Sequence, residues 1–257
     1  MDHRLLPQLP FAQACDRLRR ANKFASRPTL MLGCPHWQAG RLGAWASGCL
    51  GVWASPNGTE AKELRTRLVV VRHGTTAWSL TRRHTGRSDI PLEPEGVSQA
   101  IEVGRRLGGH DFAIVLTSPL ERARTTCELA GFGGTAQLSD DLVEWDYGEM
   151  EGRTTEEIRA ARPSWDLWTD GVEGGETLAE VSLRADRVID AVRSEQGDVL
   201  VFAHAHILRV LAVRWVGLEP ELGRIFSLAP ATISILDWER ETPVVARWND
   251  SVGDALF

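Results

Sequence analysis

Lysine is almost missing from this chain. Only Lys23 and Lys62 occur in 257 residues, so 27 of the 29 basic side chains are arginine; the bias reflects coding composition, and no function follows from it. Cysteine is scarce as well. Cys15, Cys34, Cys49 and Cys127 form no CxxC pair and no zinc-ligand spacing, so nothing requires a disulfide and a reducing, cytoplasmic compartment is the expectation. No stretch approaches the roughly 20 apolar residues that a membrane-spanning helix needs, and no membrane partner is expected. Positive charge is also short over most of the chain. Residues 1–55 hold seven basic and two acidic side chains, a balance of +5, which leaves −11 for the remainder of a chain whose net charge is −6. An acidic body argues against a broad nucleic-acid footprint and leaves any anion to a local arginine cluster.

The hydrophobic fraction of 43% and the charged fraction of 25% are ordinary for a globular protein, and the length suffices for one full domain with a sizeable core. Residues 1–64 stand apart. Pro7, Pro10, Pro28, Pro35 and Pro56 interrupt them, and Trp37, Trp45 and Trp53 follow no sustained period of 2 or 3.6, so a poorly ordered extension with one short helix near residues 11–24 is expected. Three accounts of this segment stand. It reads as a transit-like peptide, basic and poor in acid; as a lipoprotein-like signal ending Ala46-Ser47-Gly48-Cys49, though far from residue 1; or as an over-extended reading frame. The catalytic domain is expected to occupy residues 65–257.

From Arg67 onward, strand and helix patterns alternate. Residues 67–71 read as a strand and 75–87 as a polar loop, while Val97, Ile101, Val103 and Leu107 recur near helical spacing over Pro94–Leu107 before Gly108-Gly109 stops the helix. Residues 112–116 form a second strand, and a helix over 119–129 takes Ser118 as N-cap and Pro119 at its first position. A short strand near 135–138 leads into the acidic stretch 140–151. Helices over Thr155–Ala161 and 177–192, a strand over 198–202, a helix over 207–216 and closing strands at 232–236 and 244–247 complete the order. Alternation of this kind, with no internal repeat, predicts an α/β sheet layered by helices on both faces.

Candidate chemistry lies in a few stretches. Leu68-Val69-Val70-Val71-Arg72-His73-Gly74 runs a buried-strand signal into a charged end, and such a sheet binds ligands at the carboxyl ends of its strands. We read His73 as a nucleophile with a phosphoryl group beside it; a strand closing in a polar turn is the plainer alternative. Arg122, one turn into its helix, can aim a planar fork at an anion favoured by the helix start, or it is an ordinary surface arginine. Glu144, in Leu142-Val143-Glu144-Trp145-Asp146-Tyr147-Gly148, has apolar and aromatic neighbours whose desolvation raises a carboxyl pKa and keeps it protonated for general-acid work; an exposed glutamate is the alternative. A second buried strand ends in His204. His73, His84, His204 and His206 could instead form a metal set, but no carboxylate stands at a helical ligand spacing from them and Arg72 would repel a divalent cation.

Taken together and in this order, these motifs resemble the histidine phosphatase superfamily, the phosphoglycerate-mutase-like enzymes, whose signature is Arg-His-Gly at the end of the first strand. The resemblance spans roughly residues 67–248. It implies a three-layer α/β/α sandwich with a mostly parallel central sheet and a phosphohistidine intermediate, with no metal or organic cofactor. By position, His73 is then the nucleophile, Arg72, Arg122 and His204 the phosphate pocket, and Glu144 the proton donor. Thr76, Ser79, Thr85, Gly86 and Ala205 fall at substrate-facing places. The chemistry agrees: a neutral imidazole can attack phosphorus in line, and phosphoryl transfer asks mainly for positioning and charge neutralisation.

Two positions depart from the family pattern. Thr75 stands where glutamate or glutamine is usual, and Ala205 where glycine is common. Only 30 residues separate Glu144 from Gly175-Glu176, where the cofactor-dependent mutases carry a long basic insertion, so the resemblance implies a phosphatase rather than a mutase. Trp78-Ser79, His84-Thr85-Gly86, Asp89-Ile90-Pro91-Leu92 and the pair His204 and His206 are similar to a branch of sedoheptulose-1,7-bisphosphatase-like and bacterial acid phosphatases. The implied reaction is hydrolysis of a small phosphorylated metabolite, a sugar phosphate, with Arg83, Arg87 and Arg153 as candidate contacts to a second anionic group or else solvated surface arginines. A phosphoglycerate mutase and a catalytically silent phosphate-binding module are the competing readings, and self-association is left open.

Overall fold

A computed structural model of the chain describes residues 65–251. The expectations for residues 1–64, and for the last six of the expected domain, lie outside those described. In chain order the elements are β1 (Leu68–Arg72), α1 (Ala77–Leu80), α2 (Pro94–Leu107), β2 (Ile114–Thr117), α3 (Glu121–Leu129) and β3 (Gln137–Leu138). After single-turn helices at Asp140–Leu142 and Gly148–Met150 come α4 (Thr155–Ala161), α5 (Leu167–Asp170), α6 (Leu178–Arg193), β4 (Val199–Ala203), α7 (Ala205–Trp215), β5 (Ile233–Glu239) and β6 (Thr242–Asp250).

The strands form one sheet in the order β3-β2-β4-β1-β5-β6. The pairings β2–β3, β2–β4 and β1–β4 are parallel, and β5 joins β1 antiparallel before turning back into β6. Strand alternation divides the core. Leu68, Val70, Val199 and Val201 pack with Val181, Val188, Leu208 and Leu211 of α6 and α7, while Val69, Val71, Leu200 and Phe202 pack on the other face with Val103, Leu107 and Cys127 of α2 and α3. This is the three-layer α/β/α sandwich. A strand covered on both faces reads as an unbroken apolar run, and each fully buried Val or Leu contributes about 1.5–3 kcal/mol.

Several local readings need correction. Helix α2 has the expected bounds, but it buries Gly96, Ala100, Val103 and Leu107 while Ile101 is 55% exposed: its inner face is partly made of small residues, which let it approach the β1 loop closely. Helix α3 starts at Glu121 with Leu120 as N-cap, and Ser118, two residues before it, accepts the Leu120 N–H at 3.3 Å while its hydroxyl also meets His204 Nε2. The loop after β1 contains a helical turn, α1, closed by a reciprocal cap in which Thr76 Oγ1 accepts from the Ser79 N–H and Ser79 Oγ accepts from the Thr76 N–H. Strand β3 is short and exposed.

Because β1 lies beside β4 and β4 beside β2, their carboxyl ends bring His73, His204 and Ser118 together. Strand β4 returns between β1 and β2, and it is at such a change of strand order that an open α/β sheet takes its ligands.

Candidate active site

His73 follows β1 and is 4% exposed. Its N–H donates to Ala203 O at 3.0 Å, extending the β1–β4 ladder by one residue. Its ring Nδ1 lies 2.8 Å from the Gly74 carbonyl oxygen. A carbonyl can only accept, so Nδ1 carries the proton and Nε2 keeps a lone pair. Burial holds the imidazole well below its usual pKa, and the adjacent Arg72 and Arg122 charges act in the same direction. The ring is therefore neutral near pH 7.

Arg72 is half-buried by its strand position and donates through Nη1 to Leu228 O at 2.5 Å. Its Nε is buried without a hydrogen-bond partner among the described residues, an orphan donor that a ligand oxygen can satisfy. Burial pulls its pKa down to about 10, so it stays charged.

His204 closes β4 and caps α7. Its Nδ1 receives the Nε–H of Arg122 at 3.0 Å. A guanidinium cannot accept, so His204 carries its proton on Nε2, 2.8 Å from Ser118 Oγ. Burial, followed by the Arg122 charge, keeps this imidazole neutral too. The His73 and His204 ring centres are 5.2 Å apart. Arg122 is fully buried, and its remaining contacts clamp a loop: Nη1 donates to Ser88 O, and Nη2 to Thr85 O and Gly86 O. The other side of that loop is held by Glu151, which accepts from the Gly86 and Ser88 N–H groups.

Glu144 overturns the expectation of a protonated acid. It is 3% exposed, and burial does push its carboxyl pKa up. The opposing effects of His206, His204 and the backbone are larger, and the group lies well below the usual carboxylate range. Oε1 accepts from the Trp145 and Ile207 N–H groups and Oε2 from the His206 N–H, each at 3.0 Å. Two of these donors belong to the first turn of α7, where N–H groups point outward and favour negative charge. The sequence shows the apolar neighbours; it does not show that a helix start would face the carboxylate.

Thr76 and Ser79 are engaged with each other in the α1 cap. Thr85 donates its hydroxyl to Arg83 O, and Gly86 sits where a side chain would strike Glu151 and Trp145 at 2.7 Å. Ala205 opens α7 beside the N–H groups that hold Glu144. Arg83 is taken by Glu157 and Gly152 O, Arg87 faces Asp146 and Glu176, and Arg153 lies against Met150 and Glu157 O. Each of these three arginines thus has partners within the protein. Among the described residues no group of three or more His, Cys, Asp or Glu is arranged to hold a metal, and no helix is long and apolar enough to cross a membrane.

Sequence reading missed several supports. Ser118, beyond its contact at the helix start, holds His204 Nε2. Arg184 donates to Asp141 O, Val143 O and the Glu176 carboxylate, and Glu176 in turn accepts from the Asp146 N–H, so this pair fixes the loop that carries Glu144. Tyr147 places its hydroxyl 2.6 Å from His206 Nδ1. A buried arginine such as Arg184 can be suspected from its place on the apolar stripe of α6.

The sheet thus brings the neutral histidines His73 and His204 to the carboxyl ends of neighbouring strands, with Arg72, Arg122 and the buried carboxylate of Glu144 around them. Comparison with known proteins gives the family directly. The sequence model for the histidine phosphatase superfamily (branch 1) matches residues 68–251, and the chain belongs to that superfamily. An acid phosphatase of Mycobacterium tuberculosis is 40% identical over 177 residues, covering 67% of this chain and 87% of the relative. Sedoheptulose 1,7-bisphosphatase of Saccharomyces cerevisiae is 35% identical over 187 residues, 60% of this chain and 69% of that protein. The solved structure of an open reading frame from Mycobacterium tuberculosis superposes with a TM-score of 0.66 at 37% identity, covering 72% of this chain and 97% of its own.

Proposed function

We propose that this chain is a metal-independent phosphomonoesterase that hydrolyses a small phosphorylated metabolite, a sugar phosphate, through a phosphohistidine on His73. The observation that carries the reading is the Nδ1 contact of His73 with Gly74 O, which leaves Nε2 as a lone pair beside Arg72, Arg122 and His204. Nε2 attacks phosphorus, the ester P–O bond breaks, and the leaving oxygen takes a proton from Glu144. Water then attacks the phosphohistidine, returning its proton to Glu144, and inorganic phosphate and the alcohol are the products. Arg72 binds an equatorial oxygen through its unpartnered Nε–H, while Arg122 adds positive charge and, with Ser118, holds the His204 ring beside His73.

The free-state ionisation of Glu144 fits this cycle. A phosphoryl dianion arriving beside a carboxylate raises its pKa by like-charge repulsion, so the proton needed by the leaving group is recruited with the substrate. The relatives named acid phosphatase and sedoheptulose 1,7-bisphosphatase support a phosphatase acting on a phosphorylated sugar.

The test is hydrolysis of an aryl phosphate with chelator present, together with His73→Ala. Full activity in chelator and a fall to background in the variant are expected. Retention of more than about a tenth of wild-type activity in His73→Ala sinks the nucleophile assignment, since covalent catalysis leaves little once its residue is gone. A panel of sugar monophosphates and bisphosphates tests the substrate class, and tight phosphate binding without turnover on any of them would show a binding module instead.

A further inference from the structure

The arginine at the end of β1 is steadied from the far edge of the sheet. The register of β6 on β5 shifts twice, and at the first shift Ile233 pairs with Asp250 but Ile235 with Arg247, so the single residue Ser234 of β5 opposes two of β6, Trp248 and Asn249, a β-bulge. Asn249 lies in it with φ of 57°, a left-handed conformation that asparagine tolerates better than most residues. Freed from the ladder, its N–H donates to Ser234 Oγ at 2.9 Å. Its side-chain Oδ1 turns outward and accepts the Ala229 N–H at 2.7 Å. The preceding Trp248 donates Nε1–H to Ser227 O at 2.6 Å and sets its ring 5.1 Å from that of Phe226.

These two contacts fall on either side of Leu228, whose carbonyl oxygen receives Nη1 of Arg72. The loop closes with Ala231, φ 53°, donating its N–H to Arg72 O and His73 O at 3.1 and 3.0 Å. We infer that Asn249, assisted by Trp248, is a positioning residue that aims Arg72 at the phosphoryl group by fixing the Leu228 carbonyl. Bulges gather beside active sites because they re-aim a side chain, and strained backbone persists where surrounding contacts enforce it. The inference rests on Arg72 being a phosphate ligand.

The experiment measures kcat/KM on an aryl phosphate and competitive inhibition by inorganic phosphate for the full chain, Asn249→Gly, Asn249→Asp, Arg72→Lys and the Asn249→Gly/Arg72→Lys double variant. Glycine keeps the left-handed backbone and removes the acceptor; aspartate keeps both. Misplacing a catalytic group by a fraction of an ångström from a distance is expected to cost about ten-fold or more, so Asn249→Gly should lower kcat/KM and raise the phosphate inhibition constant by about that factor. Asn249→Asp should recover most of the loss, and Asn249→Gly should cost less than about two-fold once Arg72 is already lysine.

A change under about two-fold in Asn249→Gly, an Asn249→Asp as impaired as the glycine variant, or an equal loss in both backgrounds would each overturn the proposal while leaving Arg72 in its role. Arg72→Lys without effect on either constant removes the phosphate-ligand reading and the inference with it. If Asn249→Gly does not fold, Trp248→Phe keeps an aromatic ring beside Phe226 and removes the N–H that Ser227 O accepts; an unchanged inhibition constant in that variant also overturns it.

Discussion

His73 and Glu144 show how hydrogen-bond partners set a residue's chemistry. His73 owes its free Nε2 to one carbonyl, and with its pKa held down by burial and by Arg72 and Arg122, the neutral ring persists as pH falls. We expect kcat/KM to show no acid limb near 6.5, the ordinary histidine value; a limb there in a pH–rate profile would contradict a neutral buried ring. For Glu144→Gln, expulsion of an alkyl leaving group should slow by about 10²–10⁴-fold. An aryl phosphate, which departs without an acid, should instead give a rapid burst of phenolate followed by slow turnover. Equal first-turnover losses on both substrates would argue against the proton-donor role. The type and order of these residues were legible from the sequence, because Arg72-His73-Gly74 follows an unmistakable buried strand. The ionisation of Glu144 was not: its apolar neighbours are sequential, but the donors that overcome them come from α7, more than 60 positions away.

At the level of elements, the site depends on the loop after β1 lying almost on top of α2. A Cβ on Gly96 would stand 2.2 Å from Thr75 O, and one on Gly74 would stand 2.5 Å from Gly96 O. Neither glycine has a left-handed backbone, so the requirement is space. Gly96→Ala should therefore destabilise by about 1–3 kcal/mol and also lower kcat/KM by displacing the backbone that carries His73. Gly109 supplies the contrast: with φ of 84° and nothing near its would-be side chain, Gly109→Ala should cost about 1 kcal/mol with kcat/KM unaltered. Thermal unfolding and steady-state kinetics on both variants check the pair. Element existence followed from period and composition, and α2 and α4 kept their expected bounds. Element ends were less legible where a side chain had a partner elsewhere, as with Ser118, and the buried stripe of α2 was misread because Gly96 and Ala100 bury a face without bulk.

On the scale of the whole molecule, the domain stores several ionisable groups in states that acid disfavours. His73 and His204 are buried and neutral, with native pKa values well below 6.5. Below pH 6.5 the unfolded chain protonates both while the native state does not. Unfolding then takes up protons, and stability falls with decreasing pH by about 1.4 kcal/mol per pH unit for each histidine until the native pKa is reached. Glu144 adds to the loss at lower pH, since its depressed pKa stabilises the native state only while it is ionised. Urea unfolding between pH 7 and 5 should show the decline, and His204→Gln should flatten it. A midpoint independent of pH over that range would mean that these rings are protonated in the native state.

By itself the sequence determined that a buried parallel strand would deliver Arg72 and His73 to the carboxyl edge of the sheet, that helices would cover both faces, and that Arg122, Glu144 and His204 would recur at later turns of the same alternation. Those are matters of local period and residue chemistry, which a chain carries at every position. Only the tertiary structure decided protonation and aim. The His73 tautomer is set by the carbonyl of the next residue, but the tautomer of His204, the charge on Glu144 and the orientation of Arg72 depend on donors or acceptors brought from distant elements, and a hydrogen bond across 62 or 156 positions leaves no local period to read.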